Sequence, residues 1–388
     1  MASRGVALSL AALWLLPQLA SLHGAAAESL VPAIFVFGDS TVDVGNNNYL
    51  ANCSVLCKAD HARYGIDYSD SAPTGRFSNG HNLADQLAQL LGFSSGSPPA
   101  FLSLPDERRI PQMSSTGINF ASGGSGLLVR TGLNVCGEVV PMAEQVVNFT
   151  SLVRLWGSQD PKASADLISR SLVFISVGSN DLFEYCSLAP DDPARNDTLF
   201  LQALIDSYTG YVKGLYEAGA RKFSVVSPSL VGCCPSQRTA ANKFNDIDGF
   251  GCFGRANNLS SQLYPMVDSM LQGLSAQLPG MNYSLGDSIG MAKWVFSHAN
   301  ATNFTVLDAA CCGREDYAQG VCNSTATLCT NRGNHMFWDR FHPTEAASGV
   351  TAGQLFATNG SFVHPISVQQ LVAPPPRVRR GARARRTA

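Results

Sequence analysis

Five short runs rich in β-branched and aromatic residues set the tightest limit on the fold of this chain. They are AIFVF (33–37), GINFA (117–121), SLVFISV (171–177), KFSVVS (222–227) and MNYSL (281–285). The first and third are nearly unbroken apolar runs, which suits strands buried on both faces of a parallel sheet. Between the runs lie longer stretches with helical spacing: NGHNLADQLAQLL (79–91), AEQVVNFTSLVRLW (143–156), TLFLQALIDSYTGYVKGLYEAG (198–219) and ANNLSSQLYPMVDSMLQGLSAQL (256–278). Strands alternating with helices predict right-handed crossovers and an α/β fold, a three-layer α/β/α sandwich around a central parallel sheet of about five strands. No internal repeat or long linker interrupts residues 30–370, so a single domain over 28–370 is expected. A chain of 388 residues that is 45% hydrophobic and 14% charged can bury a core of that size.

The ends differ from the body. Residues 1–27 carry an early positive charge at Arg4, an apolar centre and small residues at Ala25 and Ala27. That is how a cleavable secretory signal is built, and an apolar centre of roughly 13 residues is short for a span needing about 20. Export agrees with nine N-x-[ST] sequons, at Asn52, Asn148, Asn196, Asn258, Asn282, Asn300, Asn303, Asn323 and Asn359. It also agrees with eleven cysteines, which outside the cell are expected to form disulfides, with at least one left over by the odd count. Six arginines fall within the last twelve residues, RVRRGARARRTA, after a run of prolines, and residues 371–388 are expected to be a disordered basic tail. Without those six and Arg4, the 27 basic residues become 20 against 29 acidic ones. An acidic, exported body argues against nucleic acid as a partner. A lipid surface or a cell-wall polyanion stays open as a peripheral contact, and oligomeric state is not readable.

Three polar turns follow three of the expected strands: Gly38-Asp39-Ser40, Ser122-Gly123-Gly124 and Gly178-Ser179-Asn180-Asp181. In an open parallel sheet, loops leaving the carboxyl ends of the strands line the ligand crevice. A serine hydroxyl there needs a base to activate it, and an acyl-transfer oxyanion needs preorganised donors. The backbone N–H groups of Ser40 and Gly123, with Gly124 adjacent, and the Asn180 side-chain amide are the candidates. Of seven histidines, His342 sits in the segment best shaped for a base, FWDRFHPTEAA. Asp339, three residues earlier, can accept its Nδ1–H and fix the tautomer. Pro343 is suited to the first helical position, which would put His342 at the N-cap. Asp43 and Asn46, just after Ser40, are expected to bond the backbone of the turn and steady it.

Two rival patterns need weighing. Gly286-Asp287-Ser288-Ile289-Gly290 repeats the GDS triplet inside a G-x-S-x-G elbow, and a triad of Ser288, Asp308 or Asp316, and His342 can be written for it. Its preceding run alternates, and Asp287 or Ser288 is better read as a helix cap. GFSSG (92–96) follows a helix instead of a strand and fails on context. Cys311, Cys312, Cys322 and Cys329, with His335, have the look of a zinc cluster, but an exported chain favours disulfides. No metal or cofactor is expected.

The chain resembles plant-type GDSL esterases/lipases of the SGNH hydrolase superfamily. FVFGDSTVDVGNNN, GINFASGGSGL, VGSND and FWDRFHPTEAA match that family's four blocks in order, and GRFSNG (75–80), CCPSQRT (233–239) and DAACCGREDYAQGVCN (308–323) share its look. The likeness spans about residues 31–358. It implies a flavodoxin-like sandwich in which Ser40 is the nucleophile, His342 the general base and Asp339 its orienting partner, with Ser40, Gly123 and Asn180 forming the oxyanion hole. Cys233-Cys234 departs from the single cysteine common at that place, which bears on disulfide pairing. The expected activity is hydrolysis of carboxylic esters of acyl lipids or similar compounds by a secreted serine esterase/lipase. The alternatives are acyl transfer to an alcohol, as in polyester building, and deacetylation of cell-wall polysaccharide.

Overall fold

A computed structural model describes residues 29–313 and 321–374. The expected signal (1–27) and residues 375–388 of the expected tail lie outside that range. The first residues of the expected tail are ordered: Leu371 and Val372 end the helix Val368–Val372 and are buried.

All five apolar runs form strands: β1 Ile34–Gly38, β2 Gly117–Asn119, β3 Leu172–Ser176, β4 Lys222–Val226 and β5 Asn282–Gly286. They pair in parallel in the order β2-β1-β3-β4-β5. Two features exceed the expectation. A two-residue strand, Val363–His364, adds antiparallel to the β5 edge, and a small separate sheet joins Val306–Ala310 to His335–Phe337.

The side-chain alternation of β1 explains its unbroken apolar run. Phe35 and Phe37 point to one face and pack with Met142, Phe149 and Tyr208 from the helices Met142–Gln159 and Asp197–Glu217. Ile34 and Val36 point to the other, against Leu83 and Leu87 of Leu83–Leu90 and Leu355 of Glu345–Phe356. Both faces are therefore covered, the three-layer arrangement the run demands. Each such side chain contributes about 1.5–3 kcal/mol by leaving water. The order 2-1-3-4-5 also puts the point where the chain reverses direction across the sheet between β1 and β3, where ligands bind in folds of this class.

Four disulfides form, Cys57–Cys136, Cys233–Cys252, Cys311–Cys329 and Cys312–Cys322, while Cys53, Cys186 and Cys234 remain thiols. The adjacent pair Cys233-Cys234 is thus split between a disulfide and a buried thiol.

Candidate active site

The turn after β1 is built around a position only glycine can hold. Gly38 has φ of 142°, and a Cβ there would lie 1.9 Å from the Ser176 carbonyl oxygen of β3. Its N–H donates to Gln145 Oε1 at 2.8 Å and its carbonyl accepts from Gln145 Nε2 at 2.9 Å, so a buried amide clamps the turn on both sides. Asp39 N–H then donates to Ser176 O, and the Asp39 carboxylate accepts from the N–H and hydroxyl of Thr41. Ser40 stands between these anchors.

The base comes from the other end of the chain. His342 Nε2 lies 2.7 Å from Ser40 Oγ, and His342 Nδ1 lies 2.8 and 2.9 Å from the two oxygens of Asp339. Asp339 also accepts from the backbone N–H groups of Phe341 and His342, and from the Tyr64 hydroxyl at 2.7 Å. Burial alone would push the Asp339 carboxyl up, but the His342 imidazole, the Phe341 N–H and the Tyr64 hydroxyl outweigh it and hold it below the usual carboxylate range. It therefore stays charged and able to stabilise an imidazolium. Phe77 lies against the imidazole, ring centroids 4.8 Å apart.

The loop that carries Asp339 and His342 is not a helix start. Trp338 N–H donates to His342 O, Thr344 N–H donates to Met336 O, and Pro343 bridges Phe337. This closes a tight turn, and the following helix begins at Glu345 with Thr344 as its N-cap, accepting from Ala347 N–H. The expectation of His342 at the N-cap is thus corrected: tertiary pairing with the strand His335–Phe337 outweighs the local preference of Pro343 for a first helical turn. The two disulfides of the 311–329 segment lie directly behind, with Cys311 and Cys312 N–H donating to Phe337 O and Trp338 O.

The turns after β2 and β3 complete the site. Asp43 Oδ1 accepts from Gly45 and Asn46 N–H, and its Oδ2 accepts from Gly123 N–H at 2.9 Å. Asn46 Nδ2 donates to the carbonyls of Asn119 and Ala121. These two residues therefore tie the serine turn to the glycine turn. Burial outweighs those backbone bonds and pushes the Asp43 carboxyl up to about 6. The bond to Asp43 also corrects the donor expected at Gly123, whose N–H is already used. Gly124, not Gly123, lines the cavity that holds Ser40 and Asn180, and among the described residues neither Gly124 N–H nor Ser40 N–H has an acceptor. Asn180 stands in the first turn of the helix Ser179–Ser187, with its amide nitrogen donating to Ser125 O at 2.9 Å, which leaves the second amide hydrogen for another acceptor.

Ser40, Asn180 and His342 open onto a cavity of about 320 Å³. It runs past the carboxyl ends of β3, β4 and β5 to Met291 and Val295 of the helix Ser288–Ser297 and to Val350, Thr351 and Gln354 of Glu345–Phe356, so its far end is mostly apolar, with the polar side chains supplied by the last helix. The rival Ser288 also borders this cavity, but its Oγ bonds to Ser227 O, and Asp287 supplies the cap through Gly290 N–H. Of its candidate acids, Asp308 is exposed and Asp316 lies outside the described residues. The cysteines of the imagined zinc cluster are all in disulfides, and His335 Nδ1 faces Asn331 O and Asn334 Oδ1.

Tyr64 was not legible as a site residue, being 275 positions from Asp339 and in no motif, whereas Phe77 stands in GRFSNG (75–80), a block to which the sequence reading gave no role.

Comparison with known proteins agrees with this geometry. Residues 34–354 match the family described as GDSL-like Lipase/Acylhydrolase. In Arabidopsis thaliana, GDSL esterase/lipase At1g71691 is 35% identical over 89% of this chain and 87% of its own length. GDSL esterase/lipase At5g55050 is 33% identical over 88% and 90%, and GDSL esterase/lipase LTL1 is 31% identical over 87% and 89%. The chain belongs to the GDSL-like lipase/acylhydrolase family and is a carboxylic ester hydrolase with the SGNH-type α/β fold.

Proposed function

We propose that this protein is a secreted serine esterase that acts through an acyl-enzyme intermediate on esters carrying an apolar acyl chain. The observation that carries the reading is the unbroken contact from Ser40 Oγ through His342 to Asp339 at the head of a cavity with a mostly apolar far end. Ser40 Oγ attacks the carbonyl carbon while His342 Nε2 takes its proton, and His342 returns that proton to the departing alcohol. Water, deprotonated by the same nitrogen, then releases the acid. The oxyanion is held by the N–H groups of Ser40 and Gly124 and the Asn180 side-chain amide, with Gly123 serving as the tether to Asp43. No step calls for a metal or cofactor.

Export is supported by the signal-like first 27 residues, four disulfides, and the exposure of Asn52, Asn196, Asn258, Asn282, Asn303, Asn323 and Asn359 among the sequons. Asn148 is half-buried, and the side chain of Asn300 lies outside what is described. Glycopeptide mass spectrometry of secreted protein tests this.

The substrate reading is tested with p-nitrophenyl esters from acetate to palmitate. Rates rising beyond acetate and absent in Ser40→Ala are expected; a preference for acetate would transfer the assignment to an acetyl esterase. Repeating the assay with glycerol as acceptor separates hydrolysis from acyl transfer, and dominance of the glycerol ester would overturn the hydrolase reading.

A further inference from the structure

Asn47 is a buried amide, 1% exposed, that touches neither Ser40 nor His342, yet its side chain is fully used by the turn after β2. Its Nδ2 donates to Gly123 O and to Cys57 O, each at 2.8 Å, and its Oδ1 accepts from the Ser122 hydroxyl. Both Nδ2 partners are carbonyls, which only accept, so the surroundings fix which way the amide faces. One side chain thus grips Ser122 and Gly123 and ties them to Cys57.

The bond to Gly123 O acts on the far side of the same peptide. Gly123 C=O and Gly124 N–H belong to one planar trans unit, in which the two groups point in opposite directions. Holding the carbonyl toward Asn47 therefore turns the Gly124 N–H away from Asn47. Gly124 borders the cavity with Ser40 and Asn180, and its N–H has no acceptor among the described residues. Rotating the unit would take a bond from both the Gly123 carbonyl and the Asn47 amide, which buried groups resist. Asp43 holds the neighbouring unit through Gly123 N–H, so it does not set the direction of Gly124 N–H.

The clamp is closed by covalent structure. Cys57, whose carbonyl takes the second Nδ2 hydrogen, is joined by its disulfide to Cys136. Cys136 Sγ packs on Gly124 so closely that a Cβ there would overlap it. A ring of contacts therefore runs from Asn47 through Cys57 and Cys136 to Gly124 and back through the Gly123 carbonyl.

We propose that Asn47 is a positioning residue of the oxyanion hole, acting through the Gly123–Gly124 peptide, and that the Cys57–Cys136 disulfide keeps this clamp in place. The proposal rests on the oxyanion reading above and adds the side chain that aims one of its donors.

The test compares Asn47→Ala with the pair Cys57→Ala and Cys136→Ala, and the pair serves alone if Asn47→Ala fails to fold. Both cysteines are replaced so that neither is left to pair with the Cys53 thiol. Active sites are counted by fluorophosphonate labelling taken to completion, so kcat refers to folded enzyme. Inhibition by octyl trifluoromethyl ketone is measured beside kcat and KM on p-nitrophenyl butyrate. Ser40 Oγ adds to the ketone carbon, the carbonyl electron pair moves onto oxygen, and His342 takes the hydroxyl proton, so the adduct carries the oxyanion with no leaving group. A donor misaimed instead of removed should lower kcat about 10- to 100-fold and raise the inhibition constant by a similar factor. KM should stay within about twofold, since the ground-state ester is held elsewhere. A loss of stability alone moves neither value once active sites are counted. Unchanged kcat and inhibition constant in these variants, beside a raised inhibition constant in Asn180→Ala, would overturn the clamp. Loss in Asn47→Ala without loss in the cysteine pair would overturn the part given to the disulfide. An inhibition constant that Asn180→Ala also leaves unmoved would overturn the oxyanion reading, and the clamp with it.

Discussion

Replacing Tyr64 with phenylalanine removes one oxygen and tests how Asp339 is held. The Tyr64 hydroxyl donates to Asp339 Oδ2 at 2.7 Å, and both residues are buried. A hydrogen bond to a charged group is worth about 1.5–3 kcal/mol. Three other donors stay on Asp339, namely the N–H groups of Phe341 and His342 and the imidazole. The loss therefore belongs near the lower end, about 1.5 kcal/mol. Calorimetry or denaturant titration at neutral pH reads it as a drop of roughly 2 °C in Tm. The sign with pH follows from the depressed Asp339 pKa. A carboxyl lowered in the folded state adds stability that is present above its unfolded value and is lost as pH falls through the folded value. Tyr64→Phe should therefore cost most at neutral pH and progressively less below about pH 4. Equal destabilisation at pH 3 and pH 7 would refute the view that this hydroxyl serves the Asp339 charge.

Three further outcomes follow from the same geometry. Asn180→Ala should lower kcat by about 10²–10³ with little change in KM, because the amide is assigned to the oxyanion and not to the ground state; steady-state kinetics on p-nitrophenyl butyrate check it. Ser288→Ala should keep turnover, unlike Ser40→Ala, while costing about 1 kcal/mol for the lost bond to Ser227 O, read by thermal unfolding. Gly38→Ala should cost about 3 kcal/mol or more, since the new Cβ meets a backbone carbonyl at 1.9 Å that has no room to yield; soluble yield and Tm report it.

The sheet was legible because its central strands are buried on both faces and so read as unbroken apolar runs, with glycine-bearing polar turns exactly where loops must leave β1, β2 and β3. The contact of His342 with Asp339 was legible because the two stand three residues apart, and that of His342 with Ser40, 302 positions away, because each lies in a recognisable motif. What failed depended on partners distant in sequence. Pro343 carries a helix-start preference, but Phe337 and Met336 hold its neighbours in a turn. Gly123 and Gly124 are chemically equivalent in sequence, and only the Asp43 carboxylate distinguishes them. Tyr64 reaches Asp339 from a loop with no periodicity to betray it. The disulfide partners of Cys233 and Cys57 are set by three-dimensional proximity, which spacing does not encode.

The central claim is that Ser40, and not Ser288, is the nucleophile. Its most direct test is to label intact protein with a fluorophosphonate and to map the adduct by peptide mass spectrometry. A single adduct on the peptide carrying Ser40, absent from Ser40→Ala and retained in Ser288→Ala, is the predicted result. An adduct on Ser288, or labelling that survives Ser40→Ala, would contradict it.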